Sequence, residues 1–80
     1  MSTDKKHTHE LLEHLLAASD PKSLHKLLAD LLTPSELSEI SKRLQIFRLL
    51  EAGMPQRQIA ETLGVGIATV TRGSRALKDQ

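Results

Sequence analysis

The stretch Gln56-Arg57-Gln58-Ile59-Ala60-Glu61-Thr62-Leu63-Gly64-Val65-Gly66-Ile67-Ala68-Thr69-Val70-Thr71-Arg72-Gly73-Ser74 decides the fold of this chain. Ala60 stands where two helices must approach closely, and Gly64, three residues past Glu61, stands where a left-handed turn is needed. Ile59, Leu63, Val65 and Val70 supply a small apolar core between the two helices. A second helix opening at Ile67 presents Ala68, Thr69, Thr71 and Arg72 outward, short and hydrogen-bonding side chains of the kind that enter a DNA major groove. A small residue, a glycine and apolar residues at these offsets read as a helix-turn-helix. Ordinary helical bundles also place alanine and glycine at helix crossings; the polar outer face of the second helix is what favours DNA.

Outward from this motif, Pro55 restarts the chain as its first helix, and its second helix runs from Ile67 to about Lys78. Upstream, Thr33-Pro34-Ser35-Glu36 is a capping box with proline at the first helical position, which predicts a third helix. That helix carries Leu37, Ile40, Leu44 and Phe47, is widened by Ile46 and Leu50, and stops at Gly53. Asp20 followed by Pro21 predicts the cap of a second helix with Leu24, Leu27, Leu28, Leu31 and Leu32 as its stripe. Leu11, Leu12, Leu15 and Leu16 predict a first helix from about Thr8 to near Ala18, after a polar stretch that reads as a frayed arm. No strand pattern, internal repeat or low-complexity segment is present. The expected fold is all-α, five to six short helices with a helix-turn-helix, in one domain over residues 1–80. Residues 1–7 are expected as a flexible arm, 8–53 as a helical dimerisation core and 54–78 as the helix-turn-helix.

Eighty residues with no cysteine, tryptophan or tyrosine and one phenylalanine leave the core to aliphatic side chains, with no disulfide to staple it. Aliphatic helices that need more burial than one copy offers find it in a second copy, so a homodimer is expected. The net charge is only +1, but its distribution is uneven. From Gly53 onward Arg57, Arg72, Arg75 and Lys78 face only Glu61 and Asp79. The N-terminus lacks an apolar signal core, and no run of about 18 apolar residues occurs. A soluble, cytoplasmic protein with no membrane partner is expected.

His7, His9, His14 and His25 invite a metal reading, since Glu10 and His14 share a helix face. No cysteine or further ligand completes a tetrahedral set, so solvated histidines on an amphipathic helix are expected and no metal. No nucleophile elbow, phosphate-binding glycine loop or carboxylate pair surrounds the serines and acids, so no catalytic residue and no enzyme is expected. Gly64-Val65-Gly66 lacks the preceding strand that a dinucleotide site requires.

Leu32-Thr33-Pro34, Arg43, Gln56-Arg57, Gly66 to Ser74 and Leu77-Lys78 together resemble the bacterial tryptophan operon repressor family. The block Ile67-Ala68-Thr69-Val70-Thr71-Arg72-Gly73-Ser74 is specific to that family beyond any generic helix-turn-helix. The resemblance covers about Leu28 to Lys78, and more loosely the two N-terminal helices. It implies an intertwined homodimer whose helix-turn-helix units are set at the right spacing when L-tryptophan binds as corepressor. Double-stranded operator DNA would be the other partner, and no further cofactor is implied.

Carried over by position, the ligand site would contain Arg43, Arg72 and Gly73, with Thr33 of the other subunit near the ligand carboxylate. The carbonyls of Asp30 and Leu32, at the negative end of the partner's second helix, would meet the ligand ammonium. Two guanidinium planes can flank an indole, and either can take a carboxylate. Read from the sequence without the family, Arg43 is either a solvated charge or an ion pair with Glu39. On the DNA, Ile67, Ala68 and Thr71 would face bases, Arg57 a guanine edge, and Gln56, Arg72 and Lys78 phosphates, with Thr69 on the same face and Arg75 adding charge. Three positions depart from the family. Ala76 replaces a serine, Asp30 replaces an apolar residue, and the sequence stops at Gln80 where the family continues into a further helix. The last departure leaves either a looser dimer or one in which the N-terminal helices compensate. Two other readings remain at this point: a repressor-like protein that binds DNA without tryptophan control, and a small helical interaction module.

Overall fold

The computed structural model describes residues 2–79, and every regular element among them is helical. The five helices are α1 (Ser2–Leu16), α2 (Pro21–Leu31), α3 (Pro34–Glu51), α4 (Gln56–Leu63) and α5 (Ile67–Lys78). Two compact units divide the chain, residues 1–37 and residues 38–80.

In the first unit α1 packs on α2. Helix α1 begins at Ser2, inside the stretch read from the sequence as an arm and six residues before the expected start at Thr8. That reading relied on apolar periodicity, which Asp4, Lys5 and Lys6 lack. Polar helix formers need no apolar face to be helical, Asp4 suits the positive end of the helix dipole, and Thr8 Oγ1 donates to the Asp4 carbonyl at 2.9 Å. The carboxylate of Asp20 opens α2: its Oδ1 accepts from the Ser23 backbone N–H and the Ser23 hydroxyl, each at 2.7 Å, with Pro21 in the first turn.

The bond from the Ser23 backbone N–H, helped by that from the Ser23 hydroxyl, holds the Asp20 carboxyl below its ordinary value of 3.8. A carboxyl with a depressed folded value stabilises the fold above that ordinary value and loses the contribution as pH falls through the folded one. The Ser23 amide resonance is therefore expected to titrate below pH 3.8 as the start of α2 loosens. In Asp20→Asn, which keeps an acceptor oxygen but has no proton to gain, that titration should be absent.

Helix α3 opens on the reciprocal capping box read from the sequence. The Thr33 N–H donates to Glu36 Oε1 at 2.8 Å and the Glu36 N–H to Thr33 Oγ1 at 3.1 Å. The first unit leaves five of its leucines open: Leu11, Leu12, Leu16, Leu24 and Leu31 are exposed, Leu16 to 82%, while Leu15, Leu27, Leu28 and Leu32 are half-buried.

The core of the second unit consists of one side chain from each of three helices. Ile46 of α3, Ile59 of α4 and Val70 of α5 are the buried hydrophobics, and Leu49, Leu50, Met54, Ala60, Leu63 and Val65 pack around them. The predicted α3 face is therefore only partly the one that packs. Ile40 and Leu44 stay exposed, while Ile46, Leu49 and Leu50, about half a helical turn round at 3.6 residues per turn, point into this core. Helix α3 carries two apolar stripes, and a single copy covers one of them.

Candidate functional site

The turn of the motif forms for local reasons. Gly64 has φ +68° and ψ +37°, the left-handed conformation that ends α4, and the Val65 N–H closes back to the Ala60 carbonyl at 3.0 Å. Ile59 and Val70, both fully buried, lock α4 against α5. Helix α5 then opens at Ile67, after Gly66 in an extended conformation with no side-chain cap.

On the outer surface of this hairpin Arg57, Ile67, Ala68, Arg72, Arg75 and Lys78 are exposed. Arg75 and Lys78 lie in the last turn of α5, where cations complement the helix dipole. Gln56, Thr69 and Thr71 are half-buried, which corrects the outward placement expected for the two threonines. Thr71 donates its hydroxyl to Gln56 Oε1 at 2.9 Å, with the Ile67 carbonyl 3.0 Å away as a second acceptor. Thr69 turns to the other side of α5, onto the wall of a cleft.

That cleft, about 590 Å3 in volume, lies between α3 and α5. Such a volume falls among the roughly 300–1,000 Å3 of small-molecule sites. Glu39, Arg43 and Phe47 line it from α3 at four-residue spacing, with Lys42 and Ile46 beside them. Thr69, Arg72, Gly73 and Ala76 line it from α5 at spacings of three, four and seven, and Val65 and Gly66 close it from the turn. Three cations and one carboxylate thus surround a floor of isoleucine, phenylalanine and valine, a setting for a ligand with a negative end and an apolar body. Arg43 Nη2 lies 3.9 Å from Glu39 Oε2, the ion pair weighed from the sequence; both side chains are exposed, and such a pair is easily exchanged for a ligand carboxylate.

Gly73 has a packing role that the sequence did not reveal. A Cβ built there would meet Ile46 Cγ2 at 2.8 Å and Phe47 Cε1 at 3.7 Å, so glycine is what lets α5 approach α3. Of the expected ligand residues, Arg43, Arg72 and Gly73 share the cleft, as does the departing Ala76. Asp30, Leu32 and Thr33 belong to the first unit: Asp30 is exposed in the last turn of α2, Leu32 is its C-cap, and Thr33 caps α3. Glu39, Lys42 and Phe47 were not read as site residues. The four-residue spacing of Glu39, Arg43 and Phe47 was the available signal, masked because Phe47 also fits the apolar stripe.

The family model described as Trp repressor protein matches residues 6–80. The chain belongs to the Trp repressor family. Among curated Trp repressor relatives, one from Vibrio atlanticus (strain LGP32), named Trp operon repressor homolog, is 42% identical over 75 residues, covering 92% of this chain and 61% of the relative. Relatives of the same name from Chlamydia trachomatis serovar L2 and Aliivibrio fischeri (strain MJ11) are 52% and 50% identical over 44 residues. Those matches cover 54% of this chain and 47% and 41% of the relatives, so the chain spans about three fifths or less of the Trp repressors it matches. No solved structure matches it. The Trp repressor family is one of regulators rather than enzymes. His7, His9, His14 and His25 are all exposed, and no group of three or more metal-ligating residues occurs among the described residues. No described helix is long and apolar enough to cross a membrane.

Proposed function

We propose that the chain is a DNA-binding transcriptional repressor that acts as a cytoplasmic homodimer and takes L-tryptophan as corepressor. The observation that carries this reading is the position of Arg72 and Gly73 on α5, where they wall the cleft opposite Arg43 while Ile67 and Ala68 of the same helix are exposed for DNA. A ligand lodged in the cleft bears directly on the helix that reads the operator. The indole of tryptophan would lie on the apolar floor between two guanidinium groups, and the ligand's α-carboxylate would meet Arg43 or Arg72 in place of Glu39. Asp30, Leu32 and Thr33 would come from the second copy. Thr33 can serve there because its oxygen accepts the Glu36 N–H and its own proton stays free to donate.

Dimerisation is supported by the open leucines of the first unit and by the uncovered Ile40 and Leu44 stripe of α3. Two recognition helices would then enter successive major grooves about 34 Å apart, the general half-site spacing of helix-turn-helix dimers, of which the tryptophan repressor is a standard example. Arg57, Ile67 and Ala68 would lie nearest bases, with Thr71 behind them against Gln56, while Gln56, Arg72, Arg75 and Lys78 would lie nearest phosphates and Thr69 would face the ligand side.

Tryptophan shifts operator affinity only by its differential affinity for the two head orientations. Gel-shift titration at one salt concentration, with and without L-tryptophan, tests this; equal affinity in both lanes removes the corepressor role. Because the chain has no tryptophan or tyrosine, fluorescence of added tryptophan reports its binding with no protein background. Arg72→Ala is expected to weaken both tryptophan and operator, each by about ten-fold or more, the scale of a lost charge-assisted hydrogen bond. Ala76 favours a second reading, DNA binding without tryptophan control, because the cleft wall there offers no hydroxyl. Under that reading Arg72→Ala weakens operator binding alone.

A further inference from the structure

A threonine hydroxyl has one proton, and Thr71 stands between two acceptors for it. Gln56 Oε1 lies 2.9 Å away and the Ile67 carbonyl 3.0 Å away, and the site is half-buried. The choice between them orients the Gln56 amide, because an amide has an accepting end and a donating end. When the proton goes to Gln56 Oε1, the amide oxygen is satisfied and its NH2 is left to face away from Thr71. When the proton goes to the Ile67 carbonyl, the hydroxyl can only accept. Gln56 must then turn its NH2 inward, and its oxygen faces out.

Gln56 is the first residue of α4, next to the exposed Arg57, and its side chain has no other hydrogen-bond partner among the described residues. An outward NH2 there is a neutral donor for a phosphate; an outward oxygen repels one. We infer that Thr71 is a positioning residue whose hydroxyl, donated to Gln56 Oε1, holds the Gln56 amide with its NH2 presented to the DNA backbone. This rests on the DNA-binding reading. It assigns to Thr71 an action through Gln56 in place of the direct base contact that the sequence suggested.

A double-mutant cycle tests it, read by fluorescence anisotropy on two labelled duplexes with saturating tryptophan present. One duplex is enriched by the unaltered chain from a random-sequence pool, and the other is a scramble of it at low salt. Phosphate contacts carry no sequence information, so Thr71→Val should weaken both duplexes alike, about five-fold, the worth of one hydrogen bond. Thr71→Ser should stay within about two-fold of the unaltered chain, since it keeps the hydroxyl. Gln56→Ala should cost about as much as Thr71→Val, and the double variant no more than Gln56→Ala alone. Gln56→Glu gives a second measure that leaves Thr71 untouched. Its carboxylate still accepts the Thr71 proton but presents oxygen to the phosphate, so it should bind more weakly than Gln56→Ala. Losses that add, or a Thr71→Val loss confined to the enriched duplex, would overturn the proposal and make Thr71 a base reader. Gln56→Glu binding as well as Gln56→Ala would also overturn it. Failure of the unaltered chain to bind either duplex would instead bring down the DNA-binding reading, and it shows before any variant is made.

Discussion

Ile59→Ala is expected to lower the melting temperature of the chain by roughly 10–30 °C. Ile59 is fully buried, and among the described residues only Ile46 and Val70 share that depth. Truncating a buried isoleucine costs about 2–5 kcal/mol, because the lost transfer free energy adds to the cavity left behind. An 80-residue chain has a total stability of only about 4–12 kcal/mol, so one substitution removes a large part of it. The loss also reaches function, since Ile59 joins α4 to α5 and positions every residue of the proposed DNA face. Ile59→Val, which leaves a much smaller hole, should cost only about 0.5–1.5 kcal/mol. Circular-dichroism melts of the two variants decide the matter. A shift below about 4 °C for alanine would mean that half-buried Leu63 and Val65 collapse into the space.

Gly73→Val is expected to cost about 3 kcal/mol, although helix propensity alone predicts a slight gain. Valine is better than glycine within a helix by a few tenths of a kcal/mol. Against this, any Cβ at position 73 meets Ile46 Cγ2 at 2.8 Å, and Ile46 is 1% exposed in the core of the second unit, so moving it disturbs that packing. Overpacking of this kind costs about 1–3 kcal/mol, and the two γ-carbons of valine add to the first clash. The steric effect therefore outweighs the propensity. Because the same atoms wall the cleft, the proposed tryptophan binding should fall with stability in this variant. Gly73→Ala should show the smaller clash, and a melt at or above that of the unaltered chain would show that α3 and α5 can separate without loss.

The features legible in the sequence are those whose cause is local. Asp20 with Pro21, Thr33 with Glu36, and Gly64 between Ala60 and Val65 each close hydrogen bonds within a few residues, so residue type and offset specify them. The start of α1 was missed for the same kind of reason in reverse: the α1 residues before Thr8 are helical without an apolar face, and apolar spacing does not report that. Within the candidate site, Arg43, Arg72 and Gly73 were found through the family resemblance, and they do share a cleft. Phe47 was legible only as an apolar residue, because its spacing from Ile40 and Leu44 fits a core stripe as well as it fits the cleft wall.

The sequence by itself determined the all-helical class in five to six helices, the caps at Asp20 and Thr33, the left-handed turn at Gly64 and the family, since all of these depend on near neighbours or on residue identity. Only the tertiary structure decided which stripe of α3 packs, that Thr69 faces the cleft, that Thr71 meets Gln56 fifteen residues away, and that Gly73 is glycine because Ile46 lies against it. The reason is rotational. A helix carries several faces at once, and the face that turns inward is set by the helices it meets, a choice no residue makes alone.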